Sequence, residues 1–156
     1  MRGGHRPAQA LVEVALIVPL LLILTLGAVG AGRMLLARMA LDAITREAAR
    51  AAVLSPMPHV GGSSSVEREQ AKGNAKVEAE RVARGYGYSA DEIDLGISFE
   101  RGQFEPGSWV RADASVKVNA IHLPFIAFLE DKVESPKVKL ESSHWERVDP
   151  FRGFSP

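Results

Sequence analysis

Candidate catalytic and metal-binding side chains are sparse in this sequence. Four histidines are scattered along it: His5, His59, His122 and His144. None of them forms an HExxH pair or lies at ligand spacing from a carboxylate. The acidic run at 91–94 lacks the glycine and the terminal glutamate of a calcium loop. The serines around position 64 belong to no GxSxG or SxxK motif. The sequence therefore predicts no catalytic, metal-ligating or cofactor-binding residue, and we expect a protein that is not an enzyme.

The composition of the chain argues against disulfide or thiolate-metal chemistry and against nucleic-acid binding. The chain has no cysteine, so it can form neither a disulfide nor a thiolate metal site. Its 19 basic and 19 acidic residues cancel, and no basic patch with interleaved aromatic residues is present. We therefore expect no nucleic-acid partner. The run Gly85-Tyr86-Gly87-Tyr88 lacks the preceding strand and the following helix of a phosphate loop, so we interpret it as a turn. No small-molecule substrate is identified.

One carboxylate, that of Glu13, occupies a position that indicates a function. It lies where an uncharged, apolar stretch begins, and an ionisable side chain at the edge of a membrane helix is costly unless it is compensated. The small residue Ala8 precedes it by five positions, and Gln9 precedes it by four. The simpler interpretation of Glu13 is a boundary carboxylate that reaches the polar lipid headgroups.

The stretch after Glu13 is long and apolar enough to cross a membrane. The nineteen residues Val14 to Gly32 carry no charge. As a helix they would extend ~28 Å, close to the ~30 Å thickness of the hydrocarbon layer. Pro19 can kink this helix, and small residues such as Gly27 and Gly30 would let another helix approach closely. Because basic residues precede the span, we expect the N-terminus in the cytoplasm and the remaining chain beyond the membrane.

A cleaved secretory signal is the alternative interpretation of this region. The small residues Ala28-Val29-Gly30 would then form the cleavage site. Against it, the apolar core is longer than the usual ~7–15 residues, Glu13 lies at its start, and the helical pattern continues through the supposed site without a turn signal. These features favour a retained anchor.

Beyond the span the pattern changes to that of a soluble domain. Apolar residues at three- and four-residue steps continue the first helix, which we predict from Ala10 to Val53. Prolines and a Gly/Ser run form a linker, and a second helix follows to about Arg84. Period-two alternation then predicts three strands: Ile93 to Phe99, Trp109 to Val118 and Pro136 to Trp145. Residues 121–129 are interpreted as a loop or short helix that seals the core, or alternatively as an exposed contact patch.

We therefore predict an α+β fold in which a long N-terminal transmembrane helix continues as a soluble amphipathic helix, followed by a second helix and a small antiparallel sheet. The expected segments run in chain order: a basic leader at 1–8, the transmembrane helix at 9–32, its extracytoplasmic extension at 33–54, a linker at 55–65, the α+β head domain at 66–149 and a C-terminal tail at 150–156.

Two stretches of the chain resemble the TadE-like family, pseudopilins of the tight-adherence (Flp-type) pilus system. The first is Gln9-Ala10-Leu11-Val12-Glu13-Val14-Ala15-Leu16-Ile17-Val18-Pro19-Leu20-Leu21-Leu22, and the second is Ile44-Thr45-Arg46-Glu47-Ala48-Ala49-Arg50-Ala51-Ala52. In that family a glycine usually precedes the glutamine and an aromatic residue often follows the glutamate. Ala8 and Val14 stand at those positions here. The resemblance covers roughly the first third of the chain.

The resemblance implies processing by a prepilin peptidase between Ala8 and Gln9. Gln9 would then carry a new α-amino group, and Glu13 lies four residues further along the same helix face, so the two charges could neutralise each other within one subunit or between neighbours. It also implies a pilin-like head, a single-pass protein of the bacterial cytoplasmic membrane, and partners among membrane lipid and other pilin-like or pilus-assembly proteins. In such proteins the carboxylate helps set the register of packed helices.

The function that we expect from the resemblance is that of a minor pilin or pseudopilin in pilus or secretion-machine assembly. Two other hypotheses stay open. One is a membrane-anchored binding module of the cell envelope, for which the helix is only an anchor. The other is a tethered hydrolase, which has no motif in its support.

Overall fold

The structure, a computed structural model, describes residues 6–56, 65–119 and 137–150. Its helices are α1 (Arg6–Leu54) and α2 (Ser65–Gly85), and its strands are β1 (Ile93–Phe99), β2 (Trp109–Asn119) and β3 (Lys137–Arg147). The strands form one antiparallel sheet in the order β1-β2-β3. The predicted α+β fold is thus confirmed. The start of the leader, most of the linker, the segment 121–129 and most of the tail were interpreted from sequence, and these predictions lie outside the described residues.

Helix α1 is continuous from the apolar stretch to Leu54, as predicted. It begins four residues before the predicted Ala10, because Pro7 is tolerated in a first helical turn, where its missing N–H would have no helical partner. It ends at Leu54, one residue after the predicted end. Proline at 56 disfavours helical geometry at Ser55. The Ser55 hydroxyl donates to the Ala51 carbonyl (3.0 Å) and accepts a hydrogen bond from Asn74 Nδ2 (2.9 Å) of α2. This pair joins the end of α1 to the middle of α2.

The described residues form two compact units, and α1 contributes to both. The first unit contains residues up to 35. The second contains the remainder of α1, α2 and most of the sheet. Its core combines alanines of both helices with Leu41 and Ile44 of α1 and the apolar residues of β2. The buried residues of α2 recur every four positions: Ala71, Ala75, Ala79 and Ala83. Alanine at these positions lets α2 approach its neighbours closely, although these four small side chains bury little apolar area.

The end of α2 confirms the turn interpretation of the Gly-Tyr-Gly-Tyr run. The Gly87 N–H donates to the Arg84 carbonyl (3.1 Å) and the Tyr88 N–H donates to the Ala83 carbonyl (3.0 Å). Gly87 has φ +85°, a left-handed conformation that glycine adopts without a steric penalty. Together these features form a Schellman motif, in which the last carbonyls of the helix find donors after its end.

The sheet places its apolar side chains on one face. Strand β1 pairs with β2 so that Ile93 is opposite Val116 and Phe99 is opposite Val110. The alternate residues Val110, Ala112, Ala114 and Val116 of β2 are buried, as the period-two pattern predicts. The inward face of β3 is more polar than that of β2. There the Ser142 hydroxyl donates to Asp42 Oδ1 of α1 (2.5 Å) and lies 3.5 Å from the buried Thr45 hydroxyl.

The connection between β1 and β2 contains a core residue. Phe104 is completely buried and its ring lies 5.4 Å from that of Phe99, centroid to centroid. After it, the Gly107 N–H donates to the Val148 carbonyl and the Val148 N–H donates to the Ser108 carbonyl. These bonds tie the start of β2 to the residue after β3, and Val148 is buried there.

Candidate functional site: the first part of helix α1

The predicted functional residues of the N-terminal region all lie on α1. Gln9, Glu13, Pro19, Gly27 and Gly30 belong to this one helix, within the unit that ends at residue 35. Their relative positions along the helix are therefore set by helical geometry, at 1.5 Å of rise per residue. Gln9 and Glu13 are one turn apart and share a face, as predicted.

The apolar side chains of this part of α1 are exposed. Leu11 is 72% exposed and Ile23 is 66% exposed, and the most apolar 18-residue stretch has no buried residue. A helix that is apolar on all sides has no face that favours water. Among the described residues, this is the one helix that is long and apolar enough to cross a membrane. It fits a single-pass membrane anchor.

The polar groups of the exposed stretch are accommodated by the helix itself. The Thr25 hydroxyl donates to the Leu21 carbonyl one turn earlier (2.8 Å), so its hydrogen is bonded without water. Pro19 lies inside the helix and cannot donate to the carbonyl of residue 15. Such an interruption is tolerated in membrane helices. Apart from the neighbouring residues and backbone of its own helix, an added Cβ at Gly27 would meet no atom of the described residues within 4 Å, which leaves space for another helix.

Ala8 and Gln9 lie in the first turns of α1, where helices fray. Within the described residues the Glu13 side chain is exposed and has no hydrogen bond or ion pair. An exposed carboxylate at the start of an apolar surface needs a compensating group, in keeping with the expectation from sequence. Cleavage after Ala8, a positive group at Gln9 and a packing role for Glu13 stay predictions.

Residues 8–50 match the TadE-like protein family. The matched segment begins at Ala8, includes Glu13 and the whole apolar stretch, and ends at Arg50. It contains the first of the two stretches that carry the resemblance and most of the second. The resemblance of this segment to the TadE-like family is therefore confirmed. That family suggests an involvement in systems related to the Tad/Flp pilus. Residues 51–156 lie outside the match. Comparisons with curated proteins and with solved structures found no match.

Outside the TadE-like segment, the sheet carries a surface that the sequence analysis did not identify. Trp109 and Trp145 are 41% and 50% exposed. The guanidinium group of Arg111 lies 5.4 Å from the Trp145 ring centroid, and that of Arg147 lies 6.0 Å from the Trp109 ring centroid. Both are cation–π contacts. In the alternation of β2, Trp109 lies on the face opposite the buried apolar residues. This alternation was the sequence signal from which the surface could have been predicted.

Ion pairs accompany the two tryptophans on the outer face of the sheet. Arg111 pairs with Asp113 (2.7 Å) and Lys139 pairs with Glu141 (2.5 Å). The hydrogen bond from Lys139 lowers the pKa of the Glu141 carboxyl below its ordinary value, and Glu141 in turn raises the pKa of Lys139. These pairs are exposed to solvent and contribute little to stability. Within each of these two pairs the charges cancel.

The described histidines and carboxylates beyond residue 50 form no metal-binding cluster either. In the parts of the chain that the structure describes, no three side chains of His, Asp or Glu could share a metal ion. His144 lies 3.2 Å from Glu146 on β3, as an isolated pair. His5, His59 and His122 lie outside the described residues.

Proposed function

We propose that the protein is a membrane-anchored minor pilin or pseudopilin that takes part in assembling a tight-adherence pilus or a related secretion machine. The observation that carries this proposal is the coincidence of the family match with the exposed apolar part of α1. A helix that only anchored a domain would need apolar side chains and little else. Here the matched segment also contains a carboxylate at the start of the apolar stretch, a proline within it and glycines near its end.

The proposed role is structural and does not involve catalysis. In this role α1 packs against the corresponding helices of other pilin-like membrane proteins. Gly27 and Gly30 allow close approach of the backbones, and Glu13 pairs with an amine of its own or a neighbouring subunit. The protein resides in the bacterial cytoplasmic membrane with its N-terminus in the cytoplasm and its head beyond the membrane. A prepilin peptidase removes residues 1–8.

Processing can be tested by intact-mass measurement of the protein extracted from membranes. We expect a mass that lacks residues 1–8 and an N-terminus at Gln9. The variant Ala8→Leu should retain the leader, because a large side chain does not fit a peptidase subsite for small residues. Ala8→Gly is the matched control and should be processed. An intact leader on the wild-type protein would contradict processing, and a new N-terminus near Ala31 would instead support a secretory signal.

The assembly role can be tested by exchanging the anchor. In a strain that lacks the gene, the full-length protein should restore surface pili. A chimera in which an unrelated transmembrane anchor replaces residues 1–32 should reach the membrane in equal amount but fail to restore them. Glu13→Gln, which keeps the size of the side chain but removes its charge, should share this defect, whereas Leu16→Ile should not. Full restoration by the chimera would contradict the proposal.

A second candidate function is a membrane-anchored binding module of the envelope. The exposed tryptophans with their arginine partners favour it, because Trp and Arg are enriched at the centres of protein interfaces. For a module of this kind the anchor exchange would leave function intact. The double variant Trp109→Ala and Trp145→Ala would abolish it.

A further inference from the structure

The two outer strands of the sheet differ in how they are protected against pairing with another chain. Strand β3 carries five charged residues: Lys137, Lys139, Glu141, Glu146 and Arg147. Charges, and lysine above all, are the means by which natural proteins block edge-to-edge pairing. Strand β1 has the sequence Ile-Asp-Leu-Gly-Ile-Ser-Phe, with Asp94 as its single charge. By this criterion β1 is the unprotected edge.

The free edge of β1 offers both backbone and apolar groups. Since the described strands leave β1 paired only with β2, alternate residues direct their N–H and C=O groups away from the sheet. Among the described residues, no hydrogen bond to this edge is present. The inward-facing side chains of β1 are only half-buried, although those opposite them on β2 are buried. These side chains are Ile93, Leu95, Ile97 and Phe99. Within residues 6–56, 65–119 and 137–150, apolar surface of the core therefore continues to the edge and stops without a cover.

We propose that β1 pairs with β1 of a second copy of this chain, antiparallel and about a two-fold axis at Gly96. The resulting dimer would have one six-stranded sheet. The proposal does not depend on the pilus role, since it concerns only the unit that contains the sheet. It rests on the self-complementarity of this strand.

The sequence of β1 matches itself in this arrangement. Gly96 is the central residue of the strand, so a two-fold axis there places Ile93 opposite Phe99 of the other copy and Leu95 opposite Ile97. These apolar pairs extend the inward face. On the outer face Asp94 lies opposite Ser98, a hydroxyl donor, so no two carboxylates face each other. Gly96 faces itself, which leaves the outer face at the axis free of side chains.

The groove next to this edge is also compatible with a second copy. It has a volume of about 300 Å³ and lies between α2 and β1. Its charged residues are of both signs: Lys72 and Lys76 with Glu80 and Asp94. A two-fold interface brings one patch against itself, so a patch with both signs can pair the lysines of one copy with the carboxylates of the other. Within the described part of the chain, Lys76 and Glu80 form no ion pair that would have to be broken.

Disulfide trapping tests the register directly, since the chain contains no cysteine of its own. In membranes that contain the full-length protein, mild oxidation of Gly96→Cys should give a disulfide-linked dimer. A Cβ at this position makes only ordinary contact with Asp113, so the variant should fold. Ser98→Cys is the matched control on the same face. Its two copies would be four residues out of register, ~13 Å apart, and beyond the ~7 Å limit of a disulfide.

A second control, Ser143→Cys, lies at an exposed position of the protected edge strand β3 and should not cross-link. Equal dimer yield at positions 96, 98 and 143 would mean random collision and would overturn the proposal. The same conclusion would follow from no dimer at position 96, or from a position-96 disulfide to a different protein.

A charge placed opposite Asp94 gives an independent measurement. Ser98→Asp would create two carboxylate pairs across the dimer axis, whereas Ser98→Asn has the same shape without the charge. Within one chain Ser98 lies opposite Arg111, so the added carboxylate should not disturb folding. We expect Ser98→Asp to raise the dimer dissociation constant about tenfold, since like charges opposite each other disfavour strand pairing. Sedimentation of the detergent-solubilised full chain measures this. A monomeric wild-type protein, or equal constants for the two variants, would overturn the proposal.

Discussion

Substitution of Leu21 and Ile23 by arginine should prevent stable integration of the protein into the membrane. Both side chains lie near the middle of the uncharged stretch and are exposed on α1, 56% and 66% respectively. An arginine at the centre of a membrane helix costs about 2.5–3.5 kcal/mol, so two of them cost about 5–7 kcal/mol. Neither position lies near an end of the stretch, where a long side chain could reach the headgroups.

Extraction of membranes with alkaline carbonate measures this effect. The wild-type protein should remain in the pellet, and the double arginine variant should appear in the soluble fraction or be degraded. The control is Leu21→Ala with Ile23→Ala, which shortens the same side chains without adding charge and should remain in the pellet. If the arginine variant were as resistant to carbonate as the wild type, this part of α1 would not cross the bilayer.

Replacement of Phe104 by alanine should cause the largest loss of stability in the unit that contains the sheet. Phe104 is completely buried in the core and packs against Phe99 with a ring-centroid distance of 5.4 Å. Truncation of a buried phenylalanine removes its apolar contacts and leaves a cavity, at a cost of about 3–5 kcal/mol. For a small domain this approaches the whole free energy of unfolding.

Urea denaturation of the detergent-solubilised full chain, followed by tryptophan fluorescence, measures the loss. Trp109 and Trp145 both lie on the sheet and report on its unfolding. Tyr86→Ala is the matched aromatic control. Tyr86 is 47% exposed, so its truncation should change the free energy of unfolding by no more than about 0.5 kcal/mol. If Phe104→Ala were as stable as this control, the turn after β1 would not belong to the core.

The sequence was sufficient to predict the structural elements that depend only on residues close together in the chain. The uncharged stretch after Glu13, the turn at Gly87 and the alternation in β1 and β2 each reflect a preference of a few neighbouring residues, and the structure confirms them. The candidate cleavage position between Ala8 and Gln9 came instead from the resemblance to the TadE-like family and stays a prediction, as do the packing roles of Glu13, Pro19, Gly27 and Gly30. Their positions relative to one another depend only on the geometry of a single helix, which the spacing in the sequence specifies.

Contacts between residues distant in the sequence determined the features that the sequence did not predict. Phe104 lies in a turn between two strands, a context in which a single aromatic residue shows no periodicity, and its burial depends on neighbours distant in sequence. The polar inward side chain of Ser142 on β3 is accommodated because Asp42, a hundred positions earlier, accepts its hydrogen bond.

The sequence alone determined that one helix is apolar enough to enter a membrane, with a carboxylate at its start, because helical periodicity and charge spacing are local properties. Only the tertiary structure decided which strand forms the unprotected edge of the sheet and that both tryptophans face solvent. Strand order and the exposure of a face depend on how the elements pack, and packing joins residues whose separation in the chain gives no indication that they will meet.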